Sequence, residues 1–202
     1  MGYQVIYADP PWAYKSKSIA RWKAGDKHFD YSASAKYKTM SVGEISELNV
    51  RGIADKNSVL FLWVTVPMME GGFQVLKAWG YKYKTMITWR KVMSLGMGYW
   101  FRGQTEHILL GVRGRVKAFR YQHPNFIQAK AENHSAKPEE FRQLIERATK
   151  GLTPRIELFA RKKVSGWDAW GNEVESTGDV AARLTTNERV ERKTKSNRMG
   201  ME

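Results

Sequence analysis

The chain has no cysteine among its 202 residues. Disulfides and thiolate metal sites are therefore excluded, and stability must come from a packed core. No apolar run reaches the roughly 20 residues needed to span a bilayer. The first residues also lack the charged-then-apolar pattern of a secretory leader, so a soluble, cytoplasmic chain is expected. Carboxylates are scarce: 20 Asp and Glu stand against 34 Lys and Arg, for a formal charge of +14. A folded domain this basic ordinarily meets a polyanion, and nucleic acid is the first partner to consider. A phosphate-binding loop is missing too, because the stretch Gly96-Met97-Gly98-Tyr99-Trp100-Phe101-Arg102-Gly103 lacks the Lys-Ser/Thr ending that such a loop requires.

What is present suffices for one domain, since 42% of the residues are hydrophobic and 12% aromatic. The stretch that organises it is Val5-Ile6-Tyr7-Ala8-Asp9-Pro10-Pro11-Trp12. Val5 and Ile6 favour a buried strand, which the prolines must end because they remove ladder donors and fix φ. Asp9 is pushed out of the helical region by the proline after it. The expected result is a carboxylate at the C-terminal end of a strand, a rigid turn with free carbonyls, and an indole beside them. In open α/β sheets ligands bind at that end. An exocyclic amine is a poor nucleophile because its lone pair is delocalised into the ring. A carboxylate and a proline carbonyl that accept its two N–H groups free that lone pair, and an adjacent ring can stack on the base. The bland alternative is a strand ending in an Asx-Pro turn with a surface tryptophan.

Residues 13–38 show no helical or strand period. They interleave Lys15, Lys17, Arg21, Lys23, Lys27, Lys36 and Lys38 with Tyr14, Trp22, Phe29, Tyr31 and Tyr37. Cations alternating with rings suit phosphates and exposed bases, and a solvated loop is the competing reading. Lys15, Lys17, Arg21, Trp22, Lys23 and Tyr37 are the nucleic-acid contacts this segment predicts. Ser41-Val42-Gly43-Glu44 reads as a capping box opening a helix with Ile45, Leu48 and Ile53 inward. Ser58–Thr65 reads as a buried strand after an Asp55-Lys56-Asn57 turn. A helix bearing Met69, Phe73, Leu76 and Trp79 on its inner face should end at Gly80. Strands are expected over residues 81–91, 106–112 and 155–160, the second closed by Arg113-Gly114-Arg115. A helix begins at Pro138, its first position, with Phe141, Leu144, Ile145 and Ala148 inward. Beyond Ser176 large apolar residues thin out, so residues 176–202 are expected to form a basic, flexible tail on a domain spanning residues 1–175. Strands alternating with helices predict an α/β three-layer domain.

The Asp9-Pro10-Pro11-Trp12 run after a strand is the amino-methyltransferase signature, and the chain resembles the MT-A70 family of S-adenosylmethionine-dependent N6-adenine methyltransferases. Further blocks of that family stand in its order over roughly residues 3–175. They are Tyr37-x-x-Met40-Ser41, Leu60 to Val64, Trp79-Gly80, Gly96 to Arg102, and Glu106-His107 through Arg113-Gly114. His134-Ser135-x-Lys137-Pro138, Glu157 to Arg161 and Gly166-Trp-Asp-x-Trp-Gly-Asn-Glu173 follow. For Trp63, Trp79, Ile156 and Leu158 ordinary core packing explains the residue fully, and His134 reads first as structural.

The resemblance implies a class I, Rossmann-like methyltransferase fold in permuted order, with the catalytic strand first and the cofactor-holding half last. It implies catalytic roles for Asp9, Pro10, Pro11 and Trp12, without a metal. It further implies that Phe159, Arg161, Lys163, Asn172 and Glu173 line the adenosine and ribose pocket of S-adenosylmethionine, with Arg113 assisting and Asp9 at the amino-acid end. For Lys163 a solvated strand end is an equal reading. Relatives with long N-termini place cofactor contacts before the first strand, and only eight residues precede Asp9 here, so the pocket is expected to be open there or completed from elsewhere. The implied reaction is methyl transfer to adenine N6, in DNA before RNA because the compact length and the Gly166–Glu173 ending look like the prokaryotic or phage branch. Three alternatives stay open: an RNA substrate, another amine such as cytosine N4 or a protein side chain, and a non-catalytic nucleic-acid-binding partner subunit. A homodimer is also carried as an option.

Overall fold

In the computed structural model, which describes residues 2–14, 39–92, 100–130 and 136–186, the run Tyr3–Ala8 forms β1 near the middle of a seven-stranded sheet. The other strands are β2 (Ala54–Thr65), β3 (Lys82–Val92), β4 (Thr105–Arg113), β5 (Phe126–Lys130), β6 (Arg155–Leu158) and β7 (Asp168–Trp170), in the order β5-β3-β4-β2-β1-β6-β7. β1 pairs in parallel with both β2 and β6. Among these strands β4 alone is reversed, antiparallel to β2 and to β3. The C-terminal ends of β1, β2, β3, β6 and β7 therefore share one edge with the N-terminal end of β4.

Because side chains alternate across a strand, β1 serves two cores. Ile6 and Ala8 join Leu60, Leu62 and Leu109 on one face, while Val5 and Tyr7 join Phe61, Trp63 and Ile108 on the other. The first face is covered by α1 (Val42–Glu47), α2 (Val50–Ile53), α3 (Met69–Ala78) and α5 (Val180–Thr185). α1 opens with the expected capping box: Glu44 N donates to Ser41 Oγ at 3.2 Å and Ser41 N donates to Glu44 Oε2 at 2.7 Å. Trp79 Nε1 donates to the Ile45 carbonyl at 2.9 Å, tying α3 to α1. The second face carries α4 (Glu139–Ala148), which buries Phe141, Leu144 and Ile145, together with irregular chain over residues 116–125. The three-layer α/β expectation thus stands, with the catalytic strand first in the chain.

Several local expectations are corrected. Asp55, Lys56 and Asn57 fall inside the bounds of β2, where they still turn: Asn57 N donates to Asp55 Oδ1 at 2.9 Å, and the pairing with β1 jumps from Ala54 to Val59. Phe73 faces outward against Tyr83, ring centroids 5.1 Å apart, because α3 instead packs Gly71, Gly72, Val75 and Leu76 inward. A side chain at Gly72 would collide with Val64 of β2, so the helix sits close to the sheet along its glycine face. Pro138 is the residue before the first turn of α4, not its first position. β5 was not expected at all.

The boundary at 175 also fails. Thr177 N donates to the Ala169 carbonyl at 2.9 Å, and α5 buries Val180 and Leu184 in the first core. Two apolar residues at i, i+4 spacing suffice to dock one helical turn, and compositional thinning hides so short a pattern. Residues 187–202 of the expected tail lie outside the described residues. Among the described residues no helix is long and apolar enough to cross a membrane.

Candidate active site

The strand-to-proline break puts Asp9 one residue past β1, where its N–H still reaches the Leu158 carbonyl of β6 at 3.5 Å. The turn after it is pinned on both sides. Trp12 N donates to the Pro10 carbonyl at 2.9 Å, and Met40 N donates to the Pro11 carbonyl at 2.8 Å. The two proline carbonyls are thus each engaged once, not free as expected, and each keeps a second lone pair. Trp12 is likewise no open stacking platform. It is 5% exposed and its Nε1 donates to the Trp63 carbonyl at 3.0 Å, which makes it wall and core. The ring presented at the mouth is Tyr14, 43% exposed, whose hydroxyl lies 2.9 Å from Thr65 Oγ1.

A cleft of about 410 Å³ opens between this turn and the end of β6. Asp9, Pro10, Pro11 and Trp12 form one wall, and Phe159, Arg161, Asn172 and Glu173 form the other. That second wall is built by a close backbone approach. Ala160 N donates to the Trp170 carbonyl at 2.9 Å, and at Gly171 any Cβ would run into the Ala160 backbone. Glycine there lets Asn172 and Glu173 lie against Arg161, whose Nε is 3.7 Å from Glu173 Oε1. Phe159, the residue after β6, has φ 62°, a conformation that costs a non-glycine residue energy, and it lines the cleft.

The feature that sequence reasoning missed is Lys137. It comes from the segment just before α4, and its Nζ donates to Asp9 Oδ1 at 2.9 Å and Oδ2 at 2.7 Å. The same ammonium lies 3.4 Å from Glu106 Oε2 and 5.2 Å from the centre of the Trp63 ring. Glu106, at the near end of β4, is paired in turn with Lys91. Asp9, Lys137, Glu106 and Lys91 therefore form a chain of alternating charge along the mouth of the sheet. Burial alone would lower the Lys137 ammonium, but Asp9 and Glu106 outweigh it and hold it above its ordinary range. Burial would likewise raise the Glu106 carboxyl, and Lys137 with Lys91 hold it below the usual carboxylate range instead. Lys137 stood in a recognised block, yet nothing in its spacing connects it to Asp9.

Behind Phe159 a second cleft of about 510 Å³ is lined by Asp9, Lys137, Arg142, Arg161 and Lys162 among others. Arg142 is 6% exposed and pairs with Glu157 at 2.7 Å, beneath the Tyr7 and Trp167 rings. Burial pushes the Glu157 carboxyl up in spite of that guanidinium.

Two of the expected cofactor residues stand elsewhere. Arg113 lies at the far end of β4, opposite Ser58, and its Nη1 donates to the Arg51 carbonyl at 3.1 Å. The reversal of β4 brings Glu106 to the cleft and carries Arg113 the length of the strand away from it. Lys163 turns to Glu175, 3.3 Å away. Lys15, Lys17, Arg21, Trp22, Lys23, Tyr37 and His134 lie outside the described residues.

The donor set has a readable chemistry. A carboxylate accepts from an amine or steadies a cation, an Asn and Glu side by side accept and donate to a diol, and Phe159 can lie against a flat ring. Those groups fit a nucleoside-containing cofactor with an amino-acid end. The comparisons with known proteins agree. A family profile described as MT-A70 matches residues 3–173. The chain is 36% identical over 183 residues to the type II methyltransferase M.MunI of Mycoplasma sp, covering 85% of this chain and 78% of that protein. It is 32% identical over 184 residues to the N(6)-adenosine-methyltransferase MT-A70-like protein of Arabidopsis thaliana. It is also 32% identical over 196 residues to the human N(6)-adenosine-methyltransferase catalytic subunit METTL3. The matches cover 85% and 90% of this chain but only 24% and 30% of those longer proteins.

Proposed function

Because the chain belongs to the MT-A70 family of class I, S-adenosylmethionine-dependent methyltransferases, we propose that its cleft transfers a methyl group to N6 of adenine in nucleic acid, DNA before RNA. The carrying observation is the Asp9 carboxylate, held by Lys137 at the head of a cleft whose far wall is Phe159, Asn172 and Glu173. DNA is favoured because the chain is 36% identical to the Mycoplasma type II methyltransferase, against 32% to the Arabidopsis N6-adenosine protein.

When bound, S-adenosylmethionine supplies an electrophilic methyl on a sulfonium. Asn172 and Glu173 would hold its ribose and Phe159 its purine, with Lys137 and Asp9 toward its amino-acid end. The target adenine must leave its stack to reach Asp9. A carboxylate has about four lone-pair sites. Lys137 occupies one on each Asp9 oxygen, and the remainder accept one amine N–H. The free lone pair of the Pro10 carbonyl accepts the other. Both bonds draw the amine hydrogens out of conjugation and aim the nitrogen lone pair into the cleft. The methylated amine must shed a proton, which Asp9 would accept and pass to solvent. Lys137 holds the Asp9 carboxylate in place toward the amine. Positioning of this kind can supply roughly 7–11 kcal/mol of the barrier reduction.

The reading places the reaction in the cytoplasm and leaves room for a homodimer, which sedimentation would detect. Methyl transfer to matched DNA and RNA oligonucleotides, with mass identification of the digested nucleosides, tests it. N6-methyldeoxyadenosine is expected, and Asp9→Ala should abolish it without loss of fold. N4-methylcytosine would redirect the substrate. Nucleic-acid binding without cofactor binding would leave a non-catalytic partner subunit.

A further inference from the structure

Glu106, Ile108, Leu110 and Val112 are alternate residues of β4 and so share one face of the sheet. That face leads from the active site to a separate cavity. With about 3.4 Å of rise per residue, Leu110 and Val112 lie roughly 14 and 20 Å from Glu106. There the C-terminal part of α4 forms one side, and residues 116–125 arch over the sheet beside it. The space beneath is about 530 Å³, within the roughly 300–1,000 Å³ of small-ligand sites.

The lining has a definite character. Its floor is Phe61, Ile87, Leu110, Leu144 and Ile145, and its rim carries Lys84, Lys117 and His123. No Asp or Glu lines it. Lys84 and Lys117 are exposed, and neither has a carboxylate partner among the described residues. Flat rings are arranged in two stacks. Phe119 lies over Phe61 with centroids 6.3 Å apart and 13° between planes, and Tyr121 lies over His123 at 5.6 Å and 18°. An apolar slot walled by rings, with two unpaired ammonium groups and no carboxylate at its mouth, suits a flat aromatic body carrying an anion.

We propose that this cavity is a nucleotide-binding exosite, taking a base against its aromatic side chains and the attached phosphate on Lys84 and Lys117. It rests on the reading that the substrate is nucleic acid, in which case the occupant is an unstacked nucleotide of the substrate strand other than the target adenine. The same chemistry is offered by a free nucleoside monophosphate. Binding here would tether the substrate strand at a second point and raise the local concentration of the target at Asp9, without contacting the reacting atoms.

The test uses the full chain in two arms. In the first, an oligonucleotide carrying 5-iodouracil is crosslinked and the peptides are mapped, alongside a salt series of binding. The wild type should crosslink within residues 116–125. Lys84→Ala with Lys117→Ala should flatten the log–log salt slope by about 1.4–1.8, two phosphate contacts' worth, with cofactor binding unchanged. Ala148→Trp, which fills the cavity from α4 and keeps its charge, should weaken binding about tenfold while the slope holds. In the second arm 8-azidoadenosine 5′-monophosphate is the probe. Labelling of residues 116–125 that Ala148→Trp abolishes upholds the site with a free nucleotide as its occupant, even if no oligonucleotide binds. Absence of label there in both arms, or wild-type affinity and slope in both variants, overturns the exosite. Should the wild type still methylate the oligonucleotide in that event, the adenine reading survives the loss of the cavity. If neither transfer nor oligonucleotide binding occurs, the adenine reading fails and the second arm alone decides the cavity.

Discussion

Lys137 Nζ lies 2.7 and 2.9 Å from the two carboxylate oxygens of Asp9, a residue 128 positions earlier in the chain. The contact joins the first strand of the fold to the segment that leads into α4, and it fixes the orientation of the one carboxylate in the proline turn. The Lys137 and Asp9 side chains are only 14% and 24% exposed, so the pair is shielded from bulk water. Removing the ammonium leaves Asp9 and Glu106 facing each other without the cation between them. Lys137→Met should therefore cost roughly 2–4 kcal/mol of stability, read by urea denaturation. Methyl transfer should fall by about 10²-fold because Asp9 is no longer held in place. Lys137→Arg should recover much of the stability and less of the rate, since a guanidinium fork replaces a point charge. Equal turnover in Lys137→Met would show that Asp9 orients itself.

The same charge chain predicts an acid response. Glu106 has its folded-state carboxyl lowered, so its contribution to stability is present above the unfolded value of about 4.3 and is lost as pH falls through the folded value. Glu157, raised by burial, works in the opposite sense and favours the folded state as pH falls. Melting of the wild type and of Glu106→Gln from pH 7 to pH 3 separates the two. The wild type should lose more stability over that interval than the variant. Parallel curves would mean that Lys137 and Lys91 give Glu106 no net stabilisation.

Glycine 171 predicts a contrast between two similar substitutions. Gly171 has the Ala160 backbone where a Cβ would go, whereas Gly166, at φ 80°, has open space around that position. Gly171→Ala should push Asn172 and Glu173 away from Phe159 and weaken S-adenosylmethionine binding about tenfold or more, with roughly 1–3 kcal/mol of overpacking cost. Gly166→Ala should cost only left-handed backbone strain of about 1 kcal/mol and leave cofactor affinity alone. Calorimetry of both variants checks this, and equal cofactor affinities would detach residues 171–173 from the cofactor wall.

How far the sequence could be read follows from the range of each signal. Asp9-Pro10-Pro11-Trp12, the Ser41–Glu44 capping box and the Gly80 stop are local, and their geometry is dictated by neighbours within four residues. Arg113, which the resemblance implies near the cofactor, stands at the end of β4 away from the cleft, and hydrophobic patterning marks a strand without its direction. Only the antiparallel pairing of β4 shows that Glu106, not Arg113, reaches the cleft and Lys137. Lys137 was invisible as a partner because the contact is long-range and an ammonium carries no periodic signature. Phe73 misled because the close packing of α3 is set by Gly71 and Gly72, which register as weakness in a propensity reading. β5 escaped because its side chains alternate between exposed and half-covered, leaving Ala129 alone buried.

The expectation of a flexible tail from Ser176 onward has a direct test in truncation. Asn49 holds α5 from the core side: its N–H donates to the Leu184 carbonyl at 2.9 Å, and its Nδ2 donates to the Arg183 and Thr186 carbonyls at 3.2 and 2.9 Å. Arg183 Nη2 returns a bond to the Gly52 carbonyl at 2.9 Å, and Val180 and Leu184 are 2% and 1% exposed. Burying two such side chains is worth roughly 1.5–3 kcal/mol each. Ordering the short helix offsets part of that gain, so a net loss of about 2–3 kcal/mol is expected on removal. Cutting the chain after Ser176 should then lower Tm by about 4–12 °C, given roughly 2–4 °C per kcal/mol at this size. A chain ending at Thr186 keeps every one of these contacts and should melt with the full-length protein, which controls for loss of residues 187–202. Asn49→Ala in the full chain should reproduce part of the deficit without shortening anything. If the chain cut after Ser176 melts with the full-length protein, the contacts of α5 contribute nothing net and the compositional reading of residues 176–202 as a tail is restored.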